Sequence, residues 1–148
     1  MARPELQLDN QLCFLFHRVG RELNAAYRPL LADLGLTYPQ YLTMLVLWER
    51  DGLTVGEIGD RLALDSATLS PLLRRLSQSG LVSKTRDPDD ERRVTVHLTV
   101  EGRALEDRAA AVPGEVAGYL VDGLEDYTAL RGQLIALLER MTQSAEAR

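Results

Sequence analysis

The chain has 148 residues and 45% hydrophobic content, enough for one domain with a real core. It has no twenty-residue apolar run, no signal-peptide pattern and one cysteine, so a soluble cytoplasmic protein is expected, with no membrane partner and no intrachain disulfide framework. A formal charge of −5 argues against indiscriminate nucleic-acid binding but leaves room for a specific binder.

Leu8, Leu12, Leu15, Val19, Leu23, Ala26 and Leu30 form a long apolar stripe, which predicts a first helix that Gly35 ends. Thr37 can cap a second helix with Pro39 in its first turn. Tyr41 to Trp48 are nearly all apolar, so this helix is expected to be buried, and Asp51-Gly52 ends it. Thr54 can cap a third helix through Val55, Ile58 and Leu62, with Glu57 at the capping-box position. Ala63, Leu64 and Asp65 make the next turn, and Asp65 or Ser66 caps a fourth helix.

On the fourth helix Leu69, Leu72, Leu73 and Leu76 share one face. The other face and its leading turn carry Ser66, Ala67, Thr68, Ser70, Pro71, Arg74, Arg75 and Gln78. Small residues let a backbone approach base edges, hydroxyls can contact bases or phosphates, and arginines hold phosphates or guanines. Pro71 removes a hydrogen bond and crowds the preceding turn. The leucine spacing requires the longer helix, with an irregular first turn; the alternative is a helix that starts at Ser70-Pro71.

Gly80 suits the position just past that helix. Leu81 to Thr85 can pair with Val94 to Leu98, where Val94, Val96 and Leu98 face one way and Thr95 and His97 the other. The loop between them, from Arg86 to Arg93, is a wing. Its Arg86, Arg92 and Arg93 can enter a minor groove or grip phosphate, and acids such as Asp90 can hold them in place. From Ser66 to Lys84 there are Arg74, Arg75 and Lys84 and no acid, so positive charge is local.

Helix, helix and hairpin in this order predict a mainly α fold with a small β-wing, a winged helix-turn-helix whose usual work is reading duplex DNA. The plain alternative for Arg74 and Arg75 is a solvated helix face; the order of elements favours DNA contact. His97 is expected to be an exposed strand residue, and one histidine makes no metal site. No cofactor is expected.

Thr99 can cap a helix from Val100, interrupted near Pro113-Gly114. A last helix is expected from about Leu124 to Met141, with Tyr127, Leu130, Leu134, Leu137 and Leu138 on or near its apolar face and a frayed end from Ser144 to Arg148. The winged unit, residues 37–99, needs only part of this apolar surface. The helices within 5–36 and 100–145 are therefore expected to bury their stripes against a second copy. A two-fold dimer would read a pseudo-palindromic duplex with roughly ten base pairs between half-site centres.

Cys13 lies near the edge of the first stripe. Such a cysteine is often a small buried hydrophobe; a reactive one needs a stabilised thiolate and access for the oxidant.

The order of elements, the wing segment Asp90-Glu91-Arg92 and the downstream Leu98-Thr99 resemble the MarR family of bacterial dimeric regulators over nearly the whole chain, read as a single domain of that type, 1–148. Leu8-Asp9-Asn10-Gln11-Leu12-Cys13-Phe14, Tyr27-Arg28-Pro29-Leu30-Leu31 and Leu36-Thr37-Tyr38-Pro39-Gln40-Tyr41 are similar to its organic hydroperoxide resistance regulators (OhrR), of the one-cysteine type.

The resemblance implies a repressor that leaves its operator when an organic hydroperoxide oxidises Cys13, releasing a thiol peroxidase gene from repression. It implies that Arg92 enters the minor groove and that residues 66–75 read the major groove. It also implies that the hydroxyls of Tyr27 and Tyr38 partner the thiol, although the residues by themselves read better as core packing with a polar tip. One turn after the cysteine, where this group has a hydroxyl-bearing aromatic, the chain has His17. A protonated His17 would favour the thiolate; the alternative is a partly exposed helix residue of little effect.

Tyr27 is fourteen residues beyond Cys13, about 21 Å along one straight helix, so it can reach only a partner chain's thiol. Oxidation then gives a sulfenic acid, which can condense with a low-molecular-weight thiol, form a sulfenamide or oxidise further. The resemblance implies the mixed disulfide as the reversible route. Three other readings stand beside this one: a repressor released by a small aromatic or phenolic ligand with Cys13 structural, a thiol peroxidase, and a winged domain that contacts only proteins.

Overall fold

A computed structural model describes residues 3–148. Its helices are α1 (Leu12–Ala32), α2 (Tyr38–Glu49), α3 (Val55–Leu62), α4 (Ser66–Gln78), α5 (Val100–Ala109), α6 (Val112–Leu120) and α7 (Leu124–Glu146). Three short strands, β1 (Leu53–Thr54), β2 (Val82–Arg86) and β3 (Val94–Leu98), form one antiparallel sheet in the order β1-β3-β2. The fold is the mainly α, winged helix-turn-helix type that the pattern predicts. The chain divides into two compact units, one ending at Ala110 and the other running from Ala111 to Arg148.

In the first unit, α2 is the central helix. Tyr41, Met44 and Leu47 are buried, which explains why the segment is apolar on every side. Ile58 of α3, Leu69, Leu73 and Leu76 of α4, Val82 of β2 and Val96 of β3 complete this core. Burying a side chain of this size contributes about 1.5–3 kcal/mol.

The helix starts follow local chemistry. Thr37 caps α2 with a complete capping box: its oxygen accepts from the Gln40 N–H, and its own N–H donates to Gln40 Oε1 at 2.9 Å. At α3 the box is half made. Thr54 Oγ1 accepts from the Glu57 N–H at 3.1 Å, but the Glu57 carboxylate takes the Thr54 hydroxyl rather than its N–H. Asp65, not Ser66, caps α4, accepting from the Thr68 N–H at 2.7 Å. The α3–α4 turn is tight because Ala63 takes a left-handed conformation (φ 54°) and Gly59 lies against the Leu64 carbonyl oxygen, where a Cβ would clash.

Several expectations change. Leu8 is not on the first helix: two 3₁₀ turns, Pro4–Leu6 and Leu8–Asn10, precede α1, and the Gln11 amide ties them together by donating to the carbonyls of Glu5 and Gln7. α4 runs unbroken through Pro71, with no irregular first turn and no new start at Ser70. The proline deprives only the Ala67 carbonyl of its donor, and Ala67 is exposed, so solvent can compensate.

The hairpin is shifted by one residue at its start: Val82, not Leu81, pairs with Leu98, and Arg86 pairs with Val94. A third strand, β1, joins β3 through Leu53 and Thr54. His97 is half-buried rather than exposed, with its ring beside Gly52.

Helix α5 ends at Ala109 and α6 begins at Val112, ahead of Pro113, which sits in the first turn of α6, where a missing N–H costs nothing. α7 continues to Glu146, past the expected Met141 and through most of the segment read as frayed. Among the described residues no helix is long and apolar enough to cross a membrane.

Candidate nucleic-acid interface and thiol site

The buried leucines of α4 fix which side of that helix meets solvent. Ser66, Ala67, Thr68, Ser70, Arg74, Arg75 and Gln78 are exposed, and Pro71 is half-buried. Apart from Pro71, this side of α4 presents small, hydroxyl and guanidinium groups to solvent.

The wing is built by its own hydrogen bonds. The Asp87 N–H donates to the Arg93 carbonyl at 2.8 Å, and the Arg93 N–H to the Asp90 carbonyl at 2.9 Å, closing the loop at its neck. Asp90 then organises the tip. Its Oδ1 accepts from the Arg92 N–H at 3.1 Å and lies 3.7 Å from Arg92 Nε. The Arg92 side chain is otherwise 97% exposed, so the pair is a loose tether and the guanidinium points outward. Arg86 donates to the Glu91 carbonyl at 3.4 Å. Lys84 and Arg86 on β2 share a cleft with Ser70 of α4, which places cations between the recognition face and the wing. Arg93 and Arg92 line a second cleft against the start of α3.

Cys13 and His17 are both exposed, one turn apart near the start of α1. Around them Leu12, Leu15, Phe16 and Val19 are also exposed, at 67%, 54%, 44% and 52%. Cys13 is therefore not a core residue of its own chain. Tyr27 lies on the same helix, about 21 Å further along. The structure brings Tyr27 and Tyr38 together, with ring centroids 4.5 Å apart, and separates both from their own Cys13.

Tyr41 joins this pair, at 5.7 Å from Tyr27 and 6.4 Å from Tyr38. In the sequence Tyr41 reads as part of the buried helix and of the OhrR-like segment, with no role at the thiol; its spacing of three from Tyr38, one turn on α2, is the signal that both rings share a face. Burial pushes the Tyr38 phenol up, and burial and then Tyr38 raise that of Tyr41. Both rings stay neutral O–H groups at neutral pH. Tyr27 and Tyr38 flank a cleft of about 590 Å³ lined also by Asn24, Arg28, Thr37 and Leu36. Among the described residues no group of histidine, cysteine and carboxylate side chains could hold a metal ion.

Comparison with known proteins bears on these sites. Residues 25–108 match the family model described as transcriptional regulator SarA/Rot. The chain is 44% identical to the organic hydroperoxide resistance transcriptional regulator of Bacillus subtilis over 138 residues, covering 93% of this chain and 94% of that one. Among solved structures it is similar to reduced AbfR of Staphylococcus epidermidis bound to DNA, with a TM-score of 0.82, 32% identity and coverage of 97% and 98%. It is also similar to the PcaV transcriptional regulator of Streptomyces coelicolor in complex with its natural ligand, with a TM-score of 0.80, 27% identity and coverage of 98% and 99%. These relatives are transcriptional regulators, not enzymes, and DNA-bound members carry this fold. The chain belongs to the MarR family of winged helix-turn-helix transcriptional regulators, within its organic hydroperoxide resistance group.

Proposed function

We propose that the protein is a cytoplasmic homodimeric repressor that holds a pseudo-palindromic operator when reduced and releases it when an organic hydroperoxide oxidises Cys13. The observation that carries the reading is the position of Cys13: exposed on its own chain, inside an uncovered apolar stripe, and far from a tyrosine pair of which only Tyr27 shares its helix. A second copy packed antiparallel along α1 covers the stripe. It also brings the partner's Tyr27 and Tyr38 to the thiol.

In the DNA complex, the exposed face of α4 reads the major groove through Ser66, Ala67, Thr68, Ser70, Pro71, Arg74 and Arg75. Arg92 enters the minor groove, with Asp90 orienting it, and Lys84, Arg86 and Arg93 neutralise phosphates. Two such units on a two-fold axis engage adjacent half-sites.

The sensing step is a two-electron transfer. The Cys13 thiolate attacks the terminal oxygen of the hydroperoxide, the O–O bond breaks, and the alkoxide leaves and takes up a proton as an alcohol. Sulfur is left as a sulfenic acid. The Tyr38 phenol, raised by burial, remains a donor throughout, so together with the Tyr27 hydroxyl it can stabilise negative charge on sulfur before the reaction and on oxygen after it. His17, exposed one turn from the thiol, is the candidate for tuning its reactivity. A low-molecular-weight thiol then displaces water from the sulfenic acid to give a mixed disulfide.

A second reading has one observation in its favour. The cleft beside Tyr27, Arg28 and Tyr38 has the size of a small-molecule site, and PcaV is solved with a ligand. On that reading an aromatic or phenolic acid is the inducer and Cys13 is an interface residue.

The test is operator binding by fluorescence anisotropy, using DNA upstream of the protein's own gene, with and without one equivalent of an organic hydroperoxide. The wild-type protein is expected to let go and Cys13→Ser to hold. If both hold, and a phenolic acid releases both, the second reading replaces the first.

A further inference from the structure

Neither reading uses a polar junction at the foot of the wing. Asp51, in the loop after α2, is 22% exposed and satisfies three partners. Its Oδ1 accepts from the N–H of Leu98, the last residue of β3, at 2.8 Å, and from the Gly52 N–H at 2.8 Å. Its Oδ2 pairs with the Arg103 guanidinium on α5.

Next to these partners, Thr99 and Gly102 hold the segment that leaves the recognition helix α4. Thr99, the cap of α5, donates to the Gly80 carbonyl at 2.6 Å and accepts from the Gly102 N–H at 3.0 Å. The Thr99 N–H donates to the Leu81 carbonyl at 3.1 Å. Trp48 Nε1 of α2 donates to the Gly102 carbonyl at 2.9 Å, and Gly102 lies so close to the Leu81 carbonyl oxygen that a Cβ has no room there. The end of α4, the last residue of β3, the end of α2 and the first turn of α5 are thus tied at one point.

We propose that Asp51 and Arg103 are positioning residues for DNA recognition. They hold the root of the wing in fixed relation to α4, so that Arg92 and the α4 face reach one duplex at the same time. This rests on the reading above that Arg92 contacts operator DNA. Neither Asp51 nor Arg103 needs to touch the duplex. The pair acts through preorganisation: a wing whose last strand residue has lost its anchor must be ordered at the moment of binding, and binding is weakened by that ordering. Arg92 is the reporter, because a wing that no longer sits in register gains little from its guanidinium.

The experiment is a double-mutant cycle on operator affinity with the full-length protein. Asp51→Ala, Arg92→Ala and the double variant are compared, with hydrogen exchange at the Leu98 amide followed in each. Asp51→Ala is expected to lower affinity about tenfold and to expose the Leu98 amide, and Arg92→Ala to have much less effect in that background than in the wild type. Arg103→Ala, at a more exposed position, supplies the same cycle if Asp51→Ala fails to fold; Arg103→Lys should restore part of the affinity. Additive losses from Asp51 and Arg92 overturn the positioning role and leave the wing contact standing. No loss from Arg92→Ala in the wild-type protein overturns the wing contact, and the positioning role falls with it.

Discussion

α4 and the first half of α1 carry the same kind of apolar stripe, yet they end in opposite states. Leu69, Leu72, Leu73 and Leu76 of α4 are all buried by elements of the same unit, while Leu12, Leu15, Phe16 and Val19 of α1 are all exposed. Leu134, Leu138 and Met141 of α7 are exposed as well. A periodic stripe states that a face is to be covered; it does not state by what. Where covering elements flank the stripe in the chain, as α2 and α3 before α4 and the hairpin after it do, one chain closes its own core. Where none covers it, as on the first half of α1, a row of large exposed side chains asks for another surface; in the proposed dimer a second copy of this chain supplies it, together with the tyrosines for Cys13.

Substitutions at matched positions separate the two cases. The largest effect is expected from Leu15→Glu, which puts a charge into the open stripe. It should dissociate the dimer in sedimentation velocity and, by removing the linkage between two half-sites, lower operator affinity by about two orders of magnitude or more. A monomer content equal to that of the wild type would refute a dimer seam on α1.

Leu69→Ala empties a closed core instead. Urea unfolding should show a loss of about 2–5 kcal/mol with the dimer intact. A smaller effect comes from pH. The Thr68 hydrogen bonds to Asp65 hold its carboxyl below the usual carboxylate range. A depressed folded value means that the cap's stabilisation is complete above the unfolded pKa and fades as pH falls through the folded one. Thermal midpoints across the carboxylate range should therefore drop less on acidification for Asp65→Asn than for the wild type. Parallel curves would mean that the cap is not what titrates.

What the sequence made legible follows the same division. Elements specified by local chemistry were readable: the Thr37, Thr54 and Thr99 caps, the α4 face and the hairpin all depend on residues close in the chain. β1 was not, because two residues cannot show alternation and its partner strand lies some forty positions away. The break before α6 was displaced because a proline is as good a helix start as a helix stop. At the thiol site, Cys13 stood out by its type alone, but Tyr41 was hidden in a run whose apolarity already had an explanation, burial of α2. The Asp51 junction had no sequence signal, since Asp51-Gly52 reads as an ordinary turn and its partners come from β3 and α5.

The separation of Cys13 from Tyr27 along one helix also has a genetic consequence. If each sensor takes its sulfur from one subunit and its phenols from the other, a damaged copy of the gene can be rescued by a differently damaged one. A mixed dimer of Cys13→Ser and Tyr27→Phe chains contains one sensor lacking both groups and one that is whole. Cells carrying the two alleles together should regain a peroxide response that neither allele supports alone.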